Sequence, residues 1–369
     1  MSFVLPQYNA PDFSHPSFSE AGTVVFREVE QKGVAPDNYH ATSIFPEYYH
    51  VRKGIWKLPK ESRMDAVVVA GPDDALSVKV FRNLEPGDRV ACGRSENGEE
   101  GIYVHTRPFV FPAHVPEKFA FRTHLSRETS FSIDYDELYD LLDYERENGF
   151  IVWVLGPAVS FDHDAREAFV GLIRAGYVQA LLAGNALATH DVEGALFGTA
   201  LGQEIYEKKT VPLGHYKHLD AINAVRAAGS MESSIKRGLV ANGIMRAAIE
   251  KGIPAVLAGS IRDDGPLPEV VGDVYRAQDL MREQTRKATA VIALATQLHA
   301  IATGNMVPSY KVLDDGTVRP VYFYSVDMSE FAVGKLANRG SLTARSILTN
   351  VQDFIVILER GLKKRARSA

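Results

Sequence analysis

The stretch Phe150-Ile151-Val152-Trp153-Val154-Leu155-Gly156-Pro157 decides the fold. Its apolar residues run without alternation, as in a strand buried on both faces, and the Gly-Pro pair ends it. A helical pattern follows. Asp164 and Glu167 have capping-box spacing, Ala165, Ala168, Phe169, Leu172 and Ile173 share one face, and Gly176 suits the helix end. The same unit then recurs. Strands are predicted at 178–183, 253–258, 289–295 and 321–326. Helices are predicted from Gly184 through Ala195, from Asp273 to Lys287, from Gln297, and after Asp327 toward Asn338. Val351, Phe354, Ile355 and Leu358 mark a last amphipathic helix. Buried strands alternating with helices give a parallel sheet covered on both faces, and right-handed crossovers make it a doubly wound, Rossmann-like domain.

Upstream the texture differs. Residues 24–26, 48–51, 66–69, 76–81 and 89–92 read as short strands. Residues 51–56 form a hairpin turning at Gly54, and Glu85-Pro86-Gly87-Asp88 is a turn. Residues 108–132, with Pro108, Pro112 and Pro116, read as linker or irregular cover. The expected architecture is therefore α/β. A mainly β domain with its linker occupies 1–132 and a Rossmann-like domain 133–369.

Composition narrows the function. The chain has 369 residues, 46% hydrophobic and 24% charged, which is ample for a packed core. Its formal charge of −5 argues against nucleic acid as the main partner. The basic run Lys363, Lys364, Arg365 and Arg367 reads as a solvated terminus. No signal-peptide pattern and no bilayer-length apolar run is visible. The single cysteine, Cys92, excludes an internal disulfide and a cysteine-rich zinc site. These features point to a cytoplasmic protein with no membrane partner, and its size to a homo-oligomer.

Ligands of open α/β sheets bind beyond the carboxyl ends of the strands. Four predicted ends carry polar groups: the stretch from Gly184-Asn185-Ala186 to Thr189-His190-Asp191, the stretch Gly259-Ser260-Ile261-Arg262-Asp263-Asp264-Gly265-Pro266, Thr296-Gln297-Leu298-His299, and Asp327. Each has a plainer reading. Asn185, Thr296 and Asp327 are residue types that cap helices, the Arg-Asp-Asp cluster suits a surface ion-pair loop, and a histidine one turn into a helix is usually structural. Their coincidence at strand ends favours one binding crevice. An acid such as Asp327 can accept ribose hydroxyls, although no G-x-G-x-x-G turn is present. Phosphate can instead sit on the helix starts at Asn185 and Thr296. No G-x-S-x-G elbow, Walker loop or H-E-x-x-H motif occurs. His215 and His218 stand before a helix expected over 219–228, but no third metal ligand accompanies them, so no metal is assigned. Lys217, Lys287 and Lys335 are Schiff-base residue types in undistinguished contexts.

These residues carry a resemblance. The stretch from Tyr177 to Ala188 resembles the archaeal-type ornithine cyclodeaminases, the LOR/SDH conserved-domain family, which includes the C-terminal part of cyanobacterial arginine dihydrolase/ornithine cyclodeaminase fusions. The likeness continues through His218, Ala221-Ile222-Asn223, Ala228-Gly229-Ser230 and the unusual string from Leu257 to Pro268. It also takes in Leu294-Ala295-Thr296, Leu298-His299, Val326-Asp327 and Lys335-Leu336-Ala337. More weakly it covers Ala41-Thr42-Ser43 and Arg63-Met64-Asp65, so it spans about 40–360.

The resemblance implies a bound NAD and conversion of the small-molecule substrate L-ornithine to L-proline and ammonia. By position, the cofactor contacts would be Asn185, Ala186, Asp264, Thr296, Gln297, Leu298, His299, Asp327, Met328, Asn350 and Val351. The chain departs from the family pattern at Met328-Ser329-Glu330, at Asn350 in place of an aspartate, and in an added turn at Asp314-Asp315-Gly316. Residue chemistry makes Arg262 the candidate for the substrate carboxylate, Asp263 for the δ-ammonium or proton transfer, and His218 a second acid/base. Competing readings are a dehydrogenase or reductase of another amino acid, amine transfer through a lysine imine, and a non-catalytic NAD-binding regulatory module.

Overall fold

The computed structural model describes residues 3–111, 132–329 and 341–368. The expected linker from residue 112 onward, the helix toward Asn338 and Lys335 lie largely or wholly outside them.

The N-terminal part is antiparallel. Its strands are β1 (Gln7–Tyr8), β2 (Val25–Glu28), β3 (Glu47–Arg52), β4 (Ile55–Lys57), β5 (Glu61–Ser62), β6 (Val67–Ala70), β7 (Leu76–Lys79), β8 (Arg89–Cys92), β9 (Ile102–Val104) and β10 (Phe109–Val110), with one short helix, α1 (Pro16–Ser19). Sheets ordered β2-β8-β6-β7 and β4-β3-β9 enclose Val24, Tyr49, Val68, Ala91 and Ile102. The expected hairpin is β3–β4, bulged between His50 and Arg52, with Trp56 stacked on His50 and Phe13. The two family-like stretches of this part are stitched together by Thr42. Its hydroxyl donates to the Arg63 carbonyl at 2.6 Å and accepts from the Ala66 amide at 3.0 Å.

After α2 (Ser132–Asn148), the chain alternates β11 (Ile151–Leu155), α3 (His163–Arg174), β12 (Ala180–Gly184) and α4 (Asn185–Phe197). An excursion follows, with β13 (Thr199–Ala200), β14 (Gln203–Glu204), α5 (Gly214–Ala228), α6 (Met231–Lys236) and α7 (Ile244–Glu250). Alternation resumes with β15 (Ala255–Ala258), α8 (Val274–Thr285), β16 (Ala290–Leu294), α9 (Gln297–Met306), the hairpin β17 (Tyr310–Val312) and β18 (Val318–Pro320), β19 (Tyr322–Asp327), β20 (Thr343–Leu348) and α10 (Val351–Ser368).

Six strands form one parallel sheet in the order β15-β12-β11-β16-β19-β20. Numbered along the chain, that is 3-2-1-4-5-6, with the reversal between β11 and β16. Alternate residues feed opposite faces. Ile151, Trp153 and Leu155 pack with α2, α3, α4, α7 and α10, while Val152 and Val154 pack with α8 and α9. Two cores sandwich the sheet, which is why its strands read as unbroken apolar runs.

Local details differ from the sequence reading. The cap of α3 is Asp162, which accepts from the Ala165 amide at 2.9 Å, rather than Asp164. The helix starts at His163, and a cap must stand just outside it. Helix α5 starts at Gly214 rather than near 219, so His215 and His218 both lie on it. Strand β20 and helix α2 were not expected.

The N-terminal part docks at the amino edge of the parallel sheet. Tyr310 pairs with Ser62 through β17, and its hydroxyl donates to the Pro59 carbonyl at 3.1 Å. Arg286, just before β16, pairs with Glu61 at 2.5 Å. Phe3 packs on Tyr322, the first residue of β19. Each of these contacts lies just before a parallel strand or at its first residue, so the opposite, carboxyl edge is left to the excursion and the strand-end loops.

Candidate active site

Two close approaches shape the carboxyl edge. A Cβ on Gly156 would stand 1.9 Å from the Ala295 carbonyl oxygen, so only glycine lets the ends of β11 and β16 run this close. Ala295 itself sits at φ +48°, a left-handed conformation that alanine rarely adopts. Backbone strain of this kind gathers at ligand sites. On the other side of the reversal, a Cβ on Gly184 would stand 2.8 Å from Cε1 of His299. His299 thus reaches from the start of α9, past the end of β11, to the end of β12. Burial holds its imidazole below the ordinary histidine range, against the opposing influence of the Asp263 carboxylate.

Asn185, Asp263 and His299 therefore converge. Gly184, rather than Asn185, is the cap residue of α4. The Asn185 side-chain oxygen accepts from the Leu267 amide and the Thr189 hydroxyl, both at 3.1 Å, and so ties the loop after β15 to the end of β12. Asp263 is turned back on its own loop, where it accepts from the Ser260 amide at 2.8 Å. Arg262 and Asp264 are exposed, and the Arg262 guanidinium makes no ion pair among the described residues. Ala186 is half-buried beside Asn185.

The β16 side supplies Thr296 at the cap position of α9, without a side-chain hydrogen bond to the first turn. Those amides remain available to an anion. Gln297 is exposed. Leu298 in the first turn of α9 is 71% exposed, Met328 after β19 71% and Ile261 after β15 fully so, apolar groups at three strand ends of the kind a flat ring can cover. Asp327 ends β19, and its carboxylate accepts from the Ser329 amide at 2.9 Å. Asn350 accepts from the Gln352 amide at 2.8 Å and so starts α10 at the buried Val351.

His218 belongs to a second cluster. It faces His190 of α4 at 6.3 Å between ring centroids, and its Nδ1 is buried with no partner among the described residues. His190 is 2.8 Å from the buried Glu193, which also accepts from Thr199, Leu201 and Gly202. Burial pushes the Glu193 carboxyl up, but those hydrogen bonds outweigh it and leave the group below its usual range. Beside them, buried Asp191 holds Arg166 at 2.6 Å and accepts from the Ile244 and Met245 amides. The sequence reading places His190 in the stretch after the second strand without assigning it a role, and passes over Glu193. Their i,i+3 spacing on one helix was the available signal. His215 is exposed, so it does not share the inward side with His218. Among the described residues no group of three or more His, Cys, Asp or Glu side chains is arranged to hold a metal ion.

A 3-2-1-4-5-6 parallel sheet with a glycine-pinched reversal defines a Rossmann-type fold, an architecture in which dinucleotides commonly bind at the reversal. Residues 138–358 match the family described as arginine dihydrolase ArgZ-like, C-terminal, Rossmann fold. The chain is 38% identical to an ornithine cyclodeaminase of Methanocaldococcus jannaschii, over 94% of this chain and 79% of that protein. It is 39% identical to one of Archaeoglobus fulgidus, over 92% and 79%. The crystal structure of a conserved LOR/SDH protein of Methanococcus maripaludis superposes with a TM-score of 0.82 at 34% identity, covering 94% of this chain and 99% of that one. The ternary complex of AgrE with ornithine and NAD+ gives a TM-score of 0.61 at 30% identity, and there the chain spans 47% of the larger protein. The chain belongs to the ornithine cyclodeaminase (LOR/SDH) family.

Proposed function

We propose that this protein is an NAD-dependent ornithine cyclodeaminase, converting L-ornithine to L-proline and ammonia. The convergence of Asn185, Asp263 and His299 across the sheet reversal carries the reading, together with the AgrE relative described in complex with ornithine and NAD+. The residues present fit a dinucleotide. Uncapped amides at the start of α9 suit its phosphates, and the exposed apolar groups of Ile261, Leu298 and Met328 suit its rings. Asn185, Ala186, Asp264, Thr296, Gln297, Leu298, His299, Asp327 and Met328 would hold it, with Asn350 and Val351 at the far edge. When bound, NAD supplies reversible hydride transfer, so one turnover has no net oxidation.

The chain's own residues do the rest. Arg262, exposed and without an ion pair among the described residues, binds the substrate carboxylate through its planar fork. Asp263 receives the δ-ammonium. His299, neutral at pH 7, stands beside it to take the proton that frees the δ-amine as nucleophile. The Cα–Nδ bond then forms as the bond from Cα to the original amino nitrogen breaks, and that nitrogen leaves as ammonia. His218 is a reserve acid/base on the facing helix.

The test is to incubate the purified protein with L-ornithine, with and without added NAD, and follow proline, ammonia and 340 nm absorbance. Equal proline and ammonia with no lasting absorbance rise supports the proposal. A sustained rise would instead indicate an amino-acid dehydrogenase. NAD binding without turnover of any basic amino acid would indicate a regulatory module.

A further inference from the structure

The family-like stretch Arg63-Met64-Asp65 serves no part of the crevice, and it borders a cavity of about 190 Å³ where the β part meets α8 and α9. Lys79, Arg282, Arg286, Ser62 and Glu61 also line it. Its cations outnumber its carboxylate, and most are already claimed. Lys79 is held by Asp88 at 2.7 Å, Arg286 by Glu61 at 2.5 Å and Arg282 by Asp279 at 3.1 Å. Arg63 has no ion pair among the described residues.

Arg63, Arg282 and Ser62 line the cavity, and behind its wall Nη1 of Arg63, Nε of Arg282 and Oγ of Ser62 are buried without hydrogen-bond partners among the described residues. Such donors are costly unless something accepts from them. Burial and the Arg282 charge push the Arg63 guanidinium down to about 10, so it stays protonated at neutral pH. Burial and the Arg82 charge likewise lower Arg282, with Asp279 opposing. Arg63 thus lies desolvated beside the Arg282 charge, with the Asp65 carboxylate opposing the shift.

We propose that this cavity, lined by four cations and one carboxylate, binds a small dianion, a phosphate or a dicarboxylate, whose oxygens accept from the guanidinium groups of Arg63 and Arg282. An arginine fork can take two oxygens of a phosphate or the two oxygens of a carboxylate. The site is separate from the crevice. Arg282 and Arg286 lie at the end of α8, just before β16, so roughly 17 Å of strand separates them from the loop after β16. A dianion there clamps the β part to the Rossmann sheet.

Titration calorimetry and thermal denaturation of the full chain test the proposal, with inorganic phosphate and succinate as separate probes and ionic strength held constant with chloride. Saturable binding with a rise in Tm above the chloride control is expected. Arg63→Gln and Arg282→Gln should each weaken it at least ~10-fold, the loss of a charge-assisted hydrogen bond. The exposed Lys53→Gln control should leave it unchanged. Tighter binding of phosphate or of succinate identifies which dianion the site takes. Binding no better than chloride, or equal loss in all three variants, would overturn the proposal.

Discussion

His299 gathers the most information at the scale of single residues. Burial disfavours its charged form, so its folded pKa lies below the unfolded value of about 6.5. Unfolding therefore takes up a proton. The contribution of neutral His299 is fully present above pH 6.5 and is lost as the pH falls through the folded pKa. Asp263 opposes that shift, so Asp263→Asn should lower the His299 pKa further, as read by NMR titration of the imidazole carbons. Gly184 and Gly156 give a graded pair. In Gly184→Ala the new methyl meets an imidazole edge that can rotate, so the fold should persist while NAD affinity falls. In Gly156→Ala it meets backbone, and urea denaturation should show a loss of roughly 3 kcal/mol. Capping was legible as a residue type but not as a position. Asp162→Ala should cost about 1 kcal/mol and Asp164→Ala almost nothing.

At the scale of elements, the strands that face two cores were readable because both of their faces are apolar. The edge strand β20 was not, since Arg345 and Ser346 are exposed within it. The start of α5 was also hidden. Its first turn, Gly214-His215-Tyr216-Lys217, has only Gly214 buried and gives no apolar period to read. The excursion between β12 and β15 is anchored by a buried ion pair. Asp191 holds Arg166 and caps α7 through two amides. Asp191→Ala strands the guanidinium and both donors, and a loss of about 3–5 kcal/mol is expected by urea denaturation. The family-like Thr42-Ser43 has a structural explanation. The Ser43 amide and hydroxyl both donate to buried Glu47, which also meets His40 and Tyr49.

Across the whole molecule, the two parts share a sheet. Strand β5 of the N-terminal part is completed by β17, and the hairpin's Arg319 is buried against Glu145 of α2. Unfolding either part exposes the other's backbone partners, so both should melt together. The two tryptophans report this separately, Trp56 from the β part and Trp153 from the sheet core. Single-tryptophan variants Trp56→Phe and Trp153→Phe should show coincident urea midpoints by fluorescence. Separate midpoints would mean the shared sheet does not couple the parts.

By itself the sequence determined the α/β class, the recurring strand and helix units, the mainly β character of the N-terminal part and membership of the family. Those follow from local periodicity and from strings of residues, which need no partner to be read. Only the tertiary structure decided that Gly184 and His299, 115 positions apart in the chain, meet at the reversal. It alone set His218 with His190 and Glu193, and docked the β part at the amino edge, away from the crevice. Strand order and edge are non-local choices, made when packing selects among pairings that local sequence leaves equal.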